Sequence, residues 1–152
     1  MVEIRRAEPQ DVQALTVLME DLDRFYGATE VEPSDQRAQE IAACLFQDPK
    51  AAYVLLAWEV GRLVGMATYS FLWPAAGVTR SLYLKELYVT EAFRRQGVGA
   101  LLMQELYRIA AEHTCSRIEW TADAGNVLAE AFYERLGVSV NQGKIFYRVE
   151  RG

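Results

Sequence analysis

The chain has 152 residues, 51% of them hydrophobic and 24% charged, which suits one domain with a substantial core and gives no sign of a second, so residues 1–152 are expected to form a single domain. A formal net charge of -5 argues against a nucleic-acid surface and leaves room for a cationic small molecule. The opening MVEIRRAEPQ has no apolar leader core and no later run approaches the roughly 18 apolar residues of a spanning helix, so a soluble, cytoplasmic protein without a membrane partner is expected.

In chain order, VEIRRA alternates as a strand does. Pro9 then opens a helix with Val12, Leu15, Met19, Leu22 and Tyr26 at helical spacing. After the polar stretch GATEVEPSDQ, Ser34 can cap a second helix running to about Phe46, which Asp48-Pro49 ends. AAYVLLAW and RLVGMATYSFL form a predicted hairpin about Val60-Gly61, and WPAAGVT is a loop. SLYLKELYV is the next strand. A helix follows with Val98, Leu101, Leu102, Leu106, Ile109 and Ala110 on one face, and SRIEWTAD is a strand parallel to the one before it. NVLAEAFYERLG is a short helix stopped by Gly137, and SVNQGKIFYRVE reads as a closing hairpin. The fold class is therefore α/β, a mixed sheet antiparallel in its first part and parallel at its centre.

Cys44 and Cys115 lie far apart without C-x-x-C spacing and read as buried small hydrophobes. His113, the single histidine, reads as a solvated residue at a helix end, so no metal site is expected. No G-x-S-x-G elbow is present to support a Ser/His/Asp hydrolase.

The informative stretch is LYVTEAFRRQGVGALLMQEL, where two arginines and two glycines stand between a strand and a helix. Glycines there let backbone N–H groups approach a ligand at a helix start, where the dipole favours an anion, and Arg94 and Arg95 add charge. A tight turn with a solvated basic edge is the alternative. A P-loop would need Lys and then Ser or Thr after the second glycine, and Ala100-Leu101 stand there instead. The third glycine of a dinucleotide fingerprint is also lacking.

Arg94, Gly97 and Gly99 fill the R/Q-x-x-G-x-G/A signature of the GNAT superfamily, the acetyl-CoA-dependent N-acetyltransferases, and NVLAEAFYERLG resembles that family's Asn-x-x-Ala-x-x-Phe-Tyr pattern. The element order resembles it too. The resemblance implies acetyl-CoA as cosubstrate and a splayed parallel strand pair at the centre of the sheet. Its pyrophosphate would lie on the main chain of Arg95, Gln96, Gly97, Val98, Gly99 and Ala100, and its pantetheine arm along Leu87, Tyr88 and Val89. Asn126 would contact the cosubstrate and Tyr133 would protonate the leaving thiolate; a helix cap and a half-buried aromatic are the alternatives. A homodimer is also implied.

MATYSFLW with SLYLKELYV resembles the spermidine/spermine N-acetyltransferase group, which carries two adjacent acids before this strand's aromatic end. Here the pair is Lys85-Glu86. On a regular strand Lys85 shares a face with Tyr83 and Leu87, and only a bulge would turn Glu86 inward. Glu86 is the candidate base, with a water chain from Tyr83, or a merely solvated carboxylate, as alternatives. Acceptor contacts are expected from Tyr26, Trp73, Tyr83, Lys85 and Glu86. Glu20, Asp21, Asp23, Glu30 and Glu32 are either an ammonium-holding cluster or a solvated face. The expected activity is acetyl transfer to a primary amine of a small cationic molecule. A protein amine as acceptor, or an inactive acyl-CoA-binding regulatory module, are the competing readings.

Overall fold

Alternating apolar residues lay down four strands in succession, β1 (Val2–Arg6), β2 (Tyr53–Glu59), β3 (Arg62–Leu72) and β4 (Ser81–Val89), each antiparallel to the next. A fifth, β5 (Arg117–Glu119), runs parallel to β4 and ends the order β1-β2-β3-β4-β5. The structure is a computed structural model describing residues 1–152, and it divides into Met1–Trp120, which holds this sheet, and Thr121–Gly152. The parallel pair thus lies at the end of the strand order rather than in its middle, because no strand from the closing segment is added beyond β5.

Helices α1 (Val12–Phe25) and α2 (Ser34–Phe46) join β1 to β2, and α3 (Val98–Glu112) joins β4 to β5. Pro9 starts a 3-10 turn over Pro9–Asp11 instead of the helix itself. The Asp11 carboxylate accepts the Glu8 N–H at 2.7 Å and both terminal nitrogens of Arg5 at 2.8 and 2.9 Å, which fixes that corner and holds the Asp11 carboxyl below its ordinary range. Ser34 is the first residue of α2 and Pro33 takes the capping place, its carbonyl accepting the first bond from Arg37 N.

Burial explains the two faces of the sheet. Leu15, Leu18, Leu22 and Ile41 from the first two helices pack on Val54, Leu56, Met66 and Tyr88. The intervening residues Leu55, Ala57, Ala67, Tyr69, Leu82 and Leu84 are buried on the opposite face, as are Leu102, Leu106 and Ile109 of α3. Met103 is fully buried there while Leu101 is 38% exposed, reversing the expectation for Leu101. Leu101 lies one position off the stripe that points at the sheet. Both cysteines are free; Cys44 lies exposed on the outer side of α2, contrary to the expected burial, since Arg37 and Ile41 face inward there. No helix is long and apolar enough to cross a membrane.

The β2–β3 connection has Val60 at φ 47° and Gly61 at φ 73°, the left-handed pair of a two-residue hairpin turn. A β-branched residue is strained there, and Val60, 91% exposed, has no packing to offset it. Val60→Asn is expected to stabilise the fold by about 1 kcal/mol, raising the melting temperature by roughly 2–4 °C in a calorimetric scan. An unchanged or lower melting point would count against this turn geometry.

In the second unit, α4 (Val127–Arg135) ends in a Schellman arrangement. Gly137, at φ 81°, donates to the Glu134 carbonyl at 2.9 Å, and Val138 N donates to the Tyr133 carbonyl at 3.1 Å. The closing hairpin expected over 139–150 does not form. Its alternation is present, yet Ile145 and Tyr147 are 78% and 85% exposed, and two strands with no buried face are marginal in water.

Candidate active site

The junction after β4 descends through a 3-10 turn, Glu91–Phe93, into a backbone with alternating handedness: Arg95 has φ 63° and Gly97 φ 84°. Such alternation turns successive N–H groups toward one side. The first bond of α3 runs from Leu101 N to the Gly97 carbonyl at 3.0 Å, and the N–H groups from Arg95 to Ala100 donate to no other group of the chain. The first turn of α3 carries no acid, so the positive end of the helix dipole is uncompensated. A Cβ placed on Gly97 would meet nothing within 4 Å, which leaves approach space in front of these donors. Arg95 has no ion-pair partner. This donor set fits a diphosphate.

Arg94, expected to add charge to the loop, turns back instead. Its Nε donates to the Val89 carbonyl at 2.8 Å, and its guanidinium lies 4.6 Å from the Phe25 ring centre and 5.5 Å from that of Tyr88. Gln96 donates to the Ala92 carbonyl at 3.1 Å, which closes the turn on itself.

The start of the parallel pair is tied and its continuation is open. Ser81 Oγ donates to Glu119 at 2.7 Å, and Ser116 N donates to the Arg80 carbonyl at 3.0 Å. The register Ser81↔Arg117, Leu82↔Ile118, Tyr83↔Glu119 then stops, so β4 from Leu84 to Val89 has no strand on that flank. Alternate N–H and C=O groups of Leu87, Tyr88 and Val89 face this open side.

On the other flank the register slips between Thr68 and Tyr69: Tyr69 faces Leu84, but Thr68 faces Glu86. Lys85 is the extra residue of a β-bulge, exposed, and the Glu86 N–H donates to Thr68 Oγ1 at 3.0 Å. Ser70, Thr68 and Met66 share one face of β3, so their partners Tyr83, Glu86 and Tyr88 share it too. The bulge therefore brings Glu86 to the face of Tyr83 and removes Lys85 from it. Tyr88 is 6% exposed, and its hydroxyl donates to Asp21 on α1; burial first, and this bond second, push its pKa up to about 12.

The acids expected to gather near Tyr26 are mostly engaged within the chain. Asp21 accepts from Tyr88, Asp23 and Glu32 bind the buried Arg37 at 2.7 and 2.5 Å, and Glu20 lies 3.8 Å from Arg24. Glu30 alone among them has no such partner. Tyr26, at the end of α1, packs edge-on against Phe25 and lies toward the Tyr88 end of β4. Trp73 follows Leu72, the partner of Ser81, at the opposite end of β4, roughly 20 Å away along the strand. Its indole N–H donates to the Val78 carbonyl at 2.8 Å and closes its own loop. Tyr26 and Trp73 are thus not brought together. Phe25 and Thr68 were absent from the sequence-derived site. Phe25 had one available signal, an aromatic off the apolar stripe at a helix end, whereas Thr68 had none.

In the second unit, Asn126 precedes α4 and caps it, its Oδ1 accepting from Ala129 N at 3.1 Å. Tyr133 lies on α4, half-buried, with its ring edge-on to Phe132 at 5.2 Å between centres.

An antiparallel sheet that opens beside a parallel partner, with unengaged donors at the next helix start, defines a class of phosphate-holding α/β proteins. The Acetyltransferase (GNAT) family matches residues 15–138, and the chain belongs to that family of acetyl-CoA-dependent N-acetyltransferases. D-amino-acid N-acetyltransferase HPA3 of Saccharomyces cerevisiae is 28% identical over 148 residues, 95% of this chain and 88% of the relative. Thialysine N-epsilon-acetyltransferase of Sus scrofa is 28% identical over 75 residues, 49% of this chain and 44% of its own length. Among solved structures, an integron cassette protein from the mobile metagenome of V. cholerae superposes with a TM-score of 0.91 at 31% identity, covering 99% of this chain and 93% of the other.

Proposed function

We propose that the protein moves the acetyl group of acetyl-CoA to the primary amine of a small cationic molecule, an amino acid, a polyamine or an analogue. The observation that carries this reading is the run of unengaged N–H donors from Arg95 to Ala100, directly after a strand whose flank is open from Leu84. Those donors would hold the pyrophosphate, and Leu87, Tyr88 and Val89 would pair with the pantetheine arm. Bound there, acetyl-CoA supplies an activated acetyl group.

The chain's own part is proton movement and orientation. An alkyl ammonium with a reference pKa of about 10.4 must lose a proton before it attacks, at a cost of about 4.6 kcal/mol at pH 7 without help. We assign its acceptance to Glu86, which the bulge carries to the face of Tyr83. We assign to Tyr133 the proton held for the departing thiol, since a phenol of pKa about 10 stays protonated near neutrality. The N–H of Leu87 or Tyr88 would donate to the carbonyl oxygen as its charge develops. On the acceptor side we retain Tyr26, Tyr83 and Glu86, and set Trp73 aside because of its distance. Names of the relatives, which specify D-amino acids and thialysine, support a small amine. A homodimer in the cytoplasm belongs to the same proposal.

The test is thiol release from acetyl-CoA with D-lysine, thialysine, spermidine, an aminoglycoside and a short peptide, with calorimetric acetyl-CoA binding alongside. Turnover on the small amines is expected. Turnover on the peptide alone would move the acceptor to protein amines, and binding without any turnover would favour a regulatory module.

A further inference from the structure

Arg94 opens the glycine signature, yet its side chain is committed to the strand and helix behind it. Its Nε–H to the Val89 carbonyl spans 2.8 Å, while its guanidinium faces both Phe25 and Tyr88, whose rings are 6.0 Å apart. Tyr88 is buried in the core between β4 and α1, and its hydroxyl donates to Asp21, one turn before Phe25. On the other side of α1, the buried Arg37 of α2 binds Asp23 and also Glu32, tying the loop after α1 to α2. The end of α1, which carries Tyr26, is thereby fastened twice: to α2 through Arg37, and to the end of β4 through Tyr88 and Arg94.

We propose that Arg94, Tyr88 and Asp21 are positioning residues that clamp the acceptor-side end of α1 to the donor strand β4, and that Arg94 contributes little to holding the diphosphate. The inference rests on the acetyl-CoA reading above. A planar guanidinium can face two rings while donating through Nε. A lysine ammonium keeps the charge and cannot reproduce that arrangement. Charge and clamp are therefore separable by one conservative change.

The experiment uses Arg94→Lys, Arg94→Met and Tyr88→Phe in the full chain, with acetyl-CoA affinity measured by calorimetry and kcat and KM for D-lysine by thiol release. Both Arg94 variants should bind acetyl-CoA within about threefold of wild type and raise the D-lysine KM by about tenfold, lysine failing to rescue methionine. Tyr88→Phe keeps the buried ring and should raise the same KM. Loss of acetyl-CoA affinity in Arg94→Met with recovery in Arg94→Lys would make Arg94 a phosphate ligand and overturn the proposal, as would an unchanged acceptor KM in all three. If the wild-type chain bound no acetyl-CoA, the functional reading would fail separately. The clamp would then be decided by hydrogen exchange, where faster exchange over residues 22–26 in Arg94→Lys supports it and unchanged protection overturns it.

Discussion

Gly97→Asp is expected to abolish acetyl-CoA binding while leaving the fold intact. Gly97 occupies the capping position of α3 at φ 84°, with open space where a Cβ would stand, so the new side chain clashes with nothing. Aspartate tolerates the left-handed region better than most residues, and a carboxylate at a helix start is favourable. The same carboxylate is fatal to binding, because it can accept the donors of Gly99 or Ala100 and it repels a diphosphate. Losing two charge-assisted hydrogen bonds at about 1.5–3 kcal/mol each corresponds to a rise in Kd of at least about 100-fold. Calorimetry with acetyl-CoA, checked by a thermal melt, reads both halves. Wild-type affinity in this variant would remove the loop from the site.

The second large effect separates the two proton transfers. Tyr133→Phe removes a proton donor and nothing else of the ring, so kcat should fall by about 100-fold or more across the pH range, with acetyl-CoA affinity unchanged. Glu86→Gln removes a base, and its loss should depend on pH. Each unit of pH rise below the amine pKa of about 10 increases the neutral amine about tenfold, so the variant should recover toward wild type as pH approaches that value. Parallel pH profiles for Glu86→Gln and wild type would strike Glu86 from the mechanism, and undiminished turnover in Tyr133→Phe would strike Tyr133.

Much of the fold was legible because its signals are local. Strand β4, helix α2 and the turn at Val60-Gly61 appear where alternation, a breaking Asp48-Pro49 and a glycine placed them. Misreadings arose where a distant partner decides the outcome. Leu101 and Met103 are both apolar, and only the direction of the sheet chooses between them. The acids near Tyr26 resemble a free cluster until Arg37 and the Tyr88 hydroxyl, remote in sequence, are found bound to them. Alternation over 139–150 was read correctly as a pattern, but pattern does not create the buried face a hairpin needs. In the candidate site, the glycine turn was legible from its own residues. The side chain of Arg94 was not, since its direction is set by Phe25 on a helix formed far earlier in the chain.

The looped-out Lys85 changes the parity of the strand. In a regular strand counted from Tyr83, a carboxylate on the same face would have to stand at position 85; with one residue looped out, position 86 takes that face. Under the proposed assignment of Glu86 as base, the lysine that replaces the first acid of the spermidine/spermine group's pair removes no acid from that face, because residue 85 is exposed in the bulge. For this segment, an alignment column does not denote a location in space. Two relatives with the same acid in the same column carry it on opposite sides of the sheet if only one of them bulges.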